Sequence, residues 1–439
     1  MKRLFLSGLA INLLVMVVNF ATGLLSARYL GPEGRGVLAI AIRWSTLFSM
    51  LFTIGLPGAV IYLGKQFPEK QREVLGGYIV VGTAVGLLGL LLGELLLPVL
   101  LGNQPEHVTF LAKIAMIGVP LGVLADGFIG TLQTLNQFRR VMLLRVLNPL
   151  GSAAIIGILL LLGQYTVGAF IAVSLLWSAV IFALPVLWVF GSLRPRFSDV
   201  WENTKQLFAK GLQIYAGSLV STFGGNLDQL VMSFFLTTYV LGLYSVSASI
   251  GTILPSVVIG AIGIYLFPKL MDMPKEARQR QVEKTHSLLL YGTGLLAVLG
   301  IALLPFVLPL FYGEEYRSAV LMGQILLAAA PFQVVYMVLI NFTSTEGKFH
   351  IATLCELLGM SAGLGAMLLL LESLHGTGAA IGVLSAAMLK WSYITYRASR
   401  MGLSFSALLH PDKESMLDLL GKARARITRS RRKRFELGG

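Results

Sequence analysis

Apolar residues run along this chain in blocks too long for a soluble fold. Leu4–Leu25 carry no charge, and Val37–Leu63 carry only one, Arg43. A spanning helix needs about 20 mainly apolar residues. The pattern predicts twelve such segments, at 4–30, 36–63, 73–97, 108–135, 142–162, 166–190, 208–236, 240–267, 286–312, 318–343, 350–371 and 377–398. They are too uniformly apolar for barrel strands, which alternate over about 10 residues. Lipid satisfies no backbone N–H or C=O, so the segments must be helices. The expected fold is an all-α integral membrane protein with about twelve transmembrane helices in two six-helix bundles.

Composition agrees. Of 439 residues, 56% are hydrophobic and 13% charged, with mean hydropathy +0.78. A soluble domain carries about 25% charged residues. The net charge of +14 gives no reason for a nucleic-acid partner, because the basic residues sit between apolar blocks rather than in one aromatic-rich patch. They alternate by side. Lys2, Arg3, Lys65, Lys70, Arg72, Arg139, Arg140, Arg145, Arg194, Arg196, Lys269, Lys275, Arg278, Arg280 and Lys348 share one side, against Arg28, Arg35, Lys113 and Arg317 on the other. The positive-inside rule then puts both termini in the cytoplasm, and the expected home is a bacterial inner membrane. The first apolar run exceeds a signal-peptide core of roughly 7–15 residues, so it reads as a retained helix. Cys355 stands alone and is expected to be a small packing residue.

The basic loop 191–210 divides the chain near its middle. It is expected to carry a short surface helix, with Trp201 and Phe208, between two lobes. A weak repeat supports the division. Ile61-Tyr62-Leu63 then Lys65 recurs as Ile264-Tyr265-Leu266 then Lys269. Leu30-Gly31…Gly36-Val37-Leu38-Ala39 recurs as Leu236…Gly242-Leu243-Tyr244-Ser245, at offsets of 203 and 206. Each repeat holds an even number of helices, so the lobes are expected to be parallel repeats about an axis along the membrane normal. The domains expected are a lobe at 1–198, a lobe at 199–400 and a basic amphipathic tail at 401–439. In the tail, Met416, Leu417, Leu420, Ala423 and Ile427 keep helical spacing among arginines, as in a helix lying on an anionic cytoplasmic leaflet.

No catalytic constellation is legible. The five histidines are scattered, and no Gly-rich loop leads into Lys-Ser or Lys-Thr. What remains is polar residues inside apolar helices, which are costly and therefore informative. Asn12, Asn19, Thr22 and Ser26 share one face of the first segment. Arg43, Thr46, Met50, Thr53 and Pro57 share one face of the second. The seventh carries Ser218, Ser221, Thr222, Asn226, Asp228 and Gln229. Asp126 stands among glycines in the fourth. Arg43, Asp228, Asn19, Asn226, Gln229 and Asp126 are the candidate cavity residues, with Arg43 and Asp228 as partners across an outer gate. For the neutral members, hydrogen bonding to neighbouring helices is the plainer reading.

The hinge Arg28…Leu30-Gly31-Pro32…Gly34…Gly36, and the Leu266-Phe267-Pro268-Lys269-Leu270 close of the eighth segment, resemble one known branch of transporters. It is the polysaccharide-transporter branch, the Wzx-type oligosaccharide flippases, of the multidrug/oligosaccharidyl-lipid/polysaccharide exporter superfamily. The resemblance covers about residues 1–400. It implies a non-enzymatic flippase that moves a polyprenyl-pyrophosphate-linked oligosaccharide between leaflets by alternating access. It implies no cofactor and is compatible with a coupling ion, H⁺ or Na⁺. A glycan polymerase or glycosyltransferases are the partners expected besides membrane lipids. The alternatives are a cation-coupled multidrug antiporter of the same superfamily and a non-transporting scaffold for glycosyltransferases.

Overall fold

A computed structural model describes residues 2–224 and 227–410, with side chains undescribed at 2–13, 216–227, 261, 263–265 and 268. Every one of the twelve predicted segments is helical. The helices are α1 (Lys2–Thr53), α2 (Leu56–Gln66), α3 (Gln71–Leu100), α4 (Glu106–Met116), α5 (Gly118–Thr134), α6 (Phe138–Leu161), α7 (Val167–Ser192), α8 (Val200–Gly224), α9 (Leu227–Phe235), α10 (Thr238–Met271), α11 (Lys275–Tyr312), α12 (Val320–Thr345), α13 (Phe349–Leu374), α14 (Gly376–Ser399) and α15 (Phe405–Leu409).

Two predicted segments are interrupted among the described residues. The second is cut between α1 and α2, where Ile54 and Gly55 take positive φ just ahead of Pro57. The fourth is split into α4 and α5 three residues before Pro120. The seventh is described as α8 and α9, on either side of the undescribed residues 225–226. Among the described residues, nine helical stretches are long and apolar enough to cross a membrane. The first of them, Leu14–Gln66, holds two predicted segments. The stretch α8–α9 and the Gly-, Ala- and Ser-rich α14 complete the predicted set.

The linker differs from expectation. No separate surface helix precedes the seventh segment, because α8 runs without a break from Val200 to Gly224. Its first turns bury Leu207 and Asn203 while Trp201 stays 80% exposed. Leu207 joins the core of α2 and α3, with Leu56, Val60, Val74 and Tyr78.

Packing groups the described residues into two compact units: those within 1–250 with 303–323 and 363–383, and those within 251–302 with 324–362 and from 384 on. These units of packing are drawn along other lines than the six-helix halves expected from chain order. The larger unit gathers the whole first half with the ends of α11–α14 that lie near Gly313 and His375. Within it, the phenol of Tyr78 on α3 is spliced into α5. Its hydroxyl donates to the Val123 carbonyl and accepts from Gly127 N–H at 3.0 Å, so it bridges one rung of α5's own ladder.

The smaller unit has its own core of Leu266, Leu270, Val338, Phe342, Ile351, Ile394 and Leu408, which includes Cys355. An intramembrane ion pair crosses it, Lys390 Nζ to Glu356 Oε2 at 2.5 Å. Tyr336 donates to the other carboxylate oxygen at 2.9 Å. Both charges are thereby satisfied by the unit itself, as an apolar surrounding demands. Residues 403–408, at the start of the expected tail, pack into this core. Leu403 and Leu408 are buried. Ser404 N–H donates to Glu283 at 2.6 Å, and the buried His286 ring meets the Leu408 carbonyl at 3.0 Å. The amphipathic stretch expected from Met416 onward lies outside the described residues.

Tyr78→Phe removes the spliced hydroxyl and leaves two buried backbone groups to re-pair. It is expected to lower the stability of the purified protein by about 1–3 kcal/mol, read as a lower thermal midpoint in detergent with helix content unchanged. An unchanged midpoint would show that α5 closes its ladder without the phenol.

Candidate functional site

The site is built around one break and one crossing, both in the larger unit. Helix α1 is interrupted at Gly31, where φ is 67° and ψ 177°. Only glycine takes that conformation cheaply. Pro32 then begins the second part, where its missing N–H costs nothing. The turn is braced from the far end of the chain. Tyr316 donates to the Ala27 carbonyl at 3.0 Å, and Arg28 reaches the Phe311 carbonyl at 3.4 Å. Arg28, Gly31 and Pro32 of the predicted hinge are thus all at the brace. The membrane side on which they lie is called the hinge side below.

One turn further, the second part of α1 meets α10 backbone to backbone. A Cβ on Gly36 would fall inside the Thr238 carbonyl, and one on Gly242 would fall inside the Pro32 carbonyl. The contact is reciprocal, and both residue pairs, Gly36 with Gly242 and Pro32 with Thr238, are 206 positions apart. That is one of the two offsets of the internal repeat. Two equivalent points of the repeat therefore face each other, which is what a local two-fold relation requires.

Polar side chains pack beneath the crossing. Arg43 Nε donates to Gln229 Oε1 at 2.8 Å. Tyr244 donates to Asp228 Oδ2 at 2.7 Å. Trp44 Nε1 donates to Ser233 at 3.2 Å, and its ring meets Phe234 edge-on at 5.6 Å. Gln104, from the α3–α4 turn, caps the end of α9 by donating to the carbonyls of Ser233 and Leu236, each at 2.8 Å. The structure thus brings Arg43, Asp228 and Gln229 into one cluster. Arg43 is joined to Gln229, and Asp228 to Tyr244; a direct Arg43–Asp228 bridge is not among the ion pairs of the described residues. Asn226 lies outside the described residues.

Two adjoining cavities open within the first half, of about 700 and 630 Å³. They share Asp126, Asn148 and Ser152. The first is walled by hydroxyls from two helices, Ser45, Thr46, Ser49 and Thr53 of α1 and Ser174 and Ser178 of α7. The second is lined by Asn19, Pro57, Gln133 and Arg145. Asp126 is exposed to this space and is the carboxylate that both cavities contain. Asn19 and Asp126 therefore line a cavity, and Arg43 packs at the crossing instead. Sequence reasoning missed Asn148, Ser152 and Ser174, since one or two polar residues on an otherwise apolar helix carry no periodicity. It also missed Trp44 and Gln104, whose roles depend on contacts more than 100 positions away.

Such a site can hold a hydroxyl-rich group and a cation, and it offers no nucleophile paired with a base. The model of one protein family, described as polysaccharide biosynthesis protein, matches residues 3–274. The chain belongs to the polysaccharide biosynthesis protein family. The family match takes in the hinge, the crossing and both cavities. No curated protein matches the sequence. Among solved structures, family membership is joined by likeness of fold. The lipid II flippase MurJ in an inward closed conformation is similar at a TM-score of 0.70 and 15% identity, over 94% of this chain and 91% of that one. An inward-facing multidrug resistance MATE family transporter of the MOP superfamily is similar at 0.64 and 15%, over 91% and 98%. An outward-facing member of the same group gives 0.55 and 17%, over 91% and 94%. These neighbours are named as a flippase and as transporters, not as enzymes.

The crossing admits no side chain at either glycine. Gly36→Ala and Gly242→Ala are each expected to force the hinge side apart. Ser245→Cys, with Cys355 replaced, supplies the probe: Ser245 is 5% exposed on the α10 face that carries Thr238 and Gly242. Labelling of purified protein by a water-soluble maleimide should rise several-fold in either glycine variant. Equal labelling would mean that something other than this crossing keeps the hinge side shut.

Proposed function

We propose that the protein carries a polyprenyl-diphosphate-linked oligosaccharide from the cytoplasmic to the outer leaflet, by opening the two membrane sides in turn. One observation carries the reading: a backbone-tight closure on one side, in a unit whose hydroxyl-lined cavities open beneath it. The charge bias of the loops supports a cytoplasmic location for the side opposite the hinge, in a bacterial inner membrane. Membership of a polysaccharide biosynthesis family supports a sugar cargo.

The physics suits this cargo. An ion moved into hydrocarbon costs on the order of 20 kcal/mol in the ideal limit, and a polar passage removes most of that. Sugar hydroxyls exchange water for the serine and threonine hydroxyls of α1 and α7, while the lipid tail stays in the bilayer. Each negative charge leaving a negative interior gains about 2.3 kcal/mol per 100 mV. Asp126 is the place for a coupling cation, H⁺ or Na⁺, because a carboxylate facing an intramembrane cavity needs a positive partner. Arg43 then serves the closure, through Gln229, rather than the cargo in this state.

Asp126 also favours a second reading, an antiporter of cationic drugs driven by a cation gradient. A deletion strain separates the two. Lipid-linked oligosaccharide accumulating on the cytoplasmic face is the expected outcome, with restoration by the wild-type gene. Normal glycan export together with new sensitivity to cationic drugs would replace the flippase reading by the antiporter.

A further inference from the structure

A guanidinium on the hinge side is left without an ionic partner by everything above. Arg35 lies in the first turn after the Gly31 break, next to Gly36 of the crossing. Three stretches surround it: Ser26 across the break, the start of α7, and the residues around Tyr312 and Tyr316. Its Nη1 donates to Ser26 Oγ at 3.3 Å. Its Nε is sealed from solvent and has no acceptor. The hydroxyl of Tyr165 is likewise sealed from solvent and lies beside Ser26 and Arg35. The ionisable groups that act on Arg35 are Tyr316, Tyr312, Tyr165 and Arg43, and none is a carboxylate. Arg35 joins no ion pair among the described residues.

This arrangement is expensive for a resting structure. A guanidinium does not shed its proton in a protein, and Arg35 is half-buried with a sealed N–H that has no acceptor, which is disfavoured. The unused Nε donor of Arg35 has the Tyr165 hydroxyl in its neighbourhood, and both groups adjoin Ser26. The chain brings donors from different segments to one place, and among the described residues the nearby Glu315 carboxylate, which lies against Gly31, makes no ion pair with Arg35.

We propose that Arg35, with the hydroxyl of Tyr165, is a binding site for a phosphate-bearing anion on the hinge side. A planar carboxylate is matched by the guanidinium fork alone. A tetrahedral phosphate has further oxygens, and it takes the fork from one side and the phenol from another. The site is closed in this structure. Because Arg35 precedes Gly36, parting the crossing with α10 moves its backbone directly and exposes the donors. The inference goes beyond the flippase reading and does not depend on it, since a phosphate reaches this level of the membrane from two sources. One is a diphosphate-linked lipid; the other is the headgroup of an ordinary phospholipid.

Purified full-length protein in non-ionic detergent is titrated with farnesyl diphosphate, with a short-chain phosphatidate and with farnesol, by calorimetry and by thermal shift. Wild type is expected to bind at least one phosphate-bearing probe, and farnesol not at all. Arg35→Gln should weaken that binding by about tenfold or more, and Tyr165→Phe by less, as expected for loss of charged and neutral hydrogen bonds. Arg35→Lys, which keeps the charge but not the fork, should fall between. Preference for farnesyl diphosphate assigns the site to a diphosphate-linked lipid, and equal binding of phosphatidate assigns it to headgroups. Unchanged affinity in Arg35→Gln overturns the site, and so does a lowered melting temperature with unchanged affinity, which would make Arg35 structural. Failure of wild type to bind either phosphate probe overturns it as well. None of these results touches the outcome of the deletion strain.

Discussion

Two carbonyl groups, those of Thr238 and Pro32, occupy the space where Gly36 and Gly242 would carry their Cβ atoms. Helix packing in lipid draws on close backbone approach, because hydrocarbon supplies no hydrophobic drive between helices. Here that approach is made at a single level and from both partners at once. It holds the second part of α1 against α10, and the residues below inherit their neighbours from it. Trp44 reaches Ser233, Arg43 reaches Gln229, and Gln104 caps α9 only because the two glycines let the backbones touch. A contact that tolerates no side chain either forms fully or is absent, which is the property wanted of a closure with two states.

The polar residues of the larger unit divide by how they are satisfied. One group is closed on itself, as in Arg43 with Gln229, Tyr244 with Asp228, and Tyr78 within the ladder of α5. These residues fix helices against one another and leave nothing spare. A second group faces cavities, with Asp126, Asn19, Asn148 and the hydroxyls of α1 and α7. The smaller unit shows the first kind alone in its Lys390–Glu356–Tyr336 trio, where each charge has its answer within hydrogen-bond distance. Arg35 belongs to neither group, which is why it invites an occupant from outside the chain.

The helices and the hinge were legible in the sequence for plain reasons. Apolar length is a one-dimensional property, so all twelve segments could be marked before any contact was known. Gly31-Pro32 breaks a helix through the local geometry of two residues. The polar face Thr46, Met50, Thr53 and Pro57 was legible by its spacing, and each of these residues lines one of the two cavities. The repeat offset of 206 was visible too, as a faint likeness between two apolar stretches. What it meant physically was not: that its two copies touch each other, glycine against carbonyl.

The sequence by itself determined the membrane class, the order of the helical segments, the place of the break in α1, and the family, through the residues around the hinge. The tertiary structure alone decided which polar residues are spent on packing and which are left facing space. It joined Arg43 to Gln229 and Asp228 to Tyr244, placed Asp126 where two cavities meet, folded 403–408 into a core, and left Arg35 without an ion pair among the described residues. The physical reason is the reach of each interaction. Helix formation and breaking are settled within a few residues of the chain. Whether a buried donor finds its acceptor depends on groups one or two hundred positions away, and no local pattern records them.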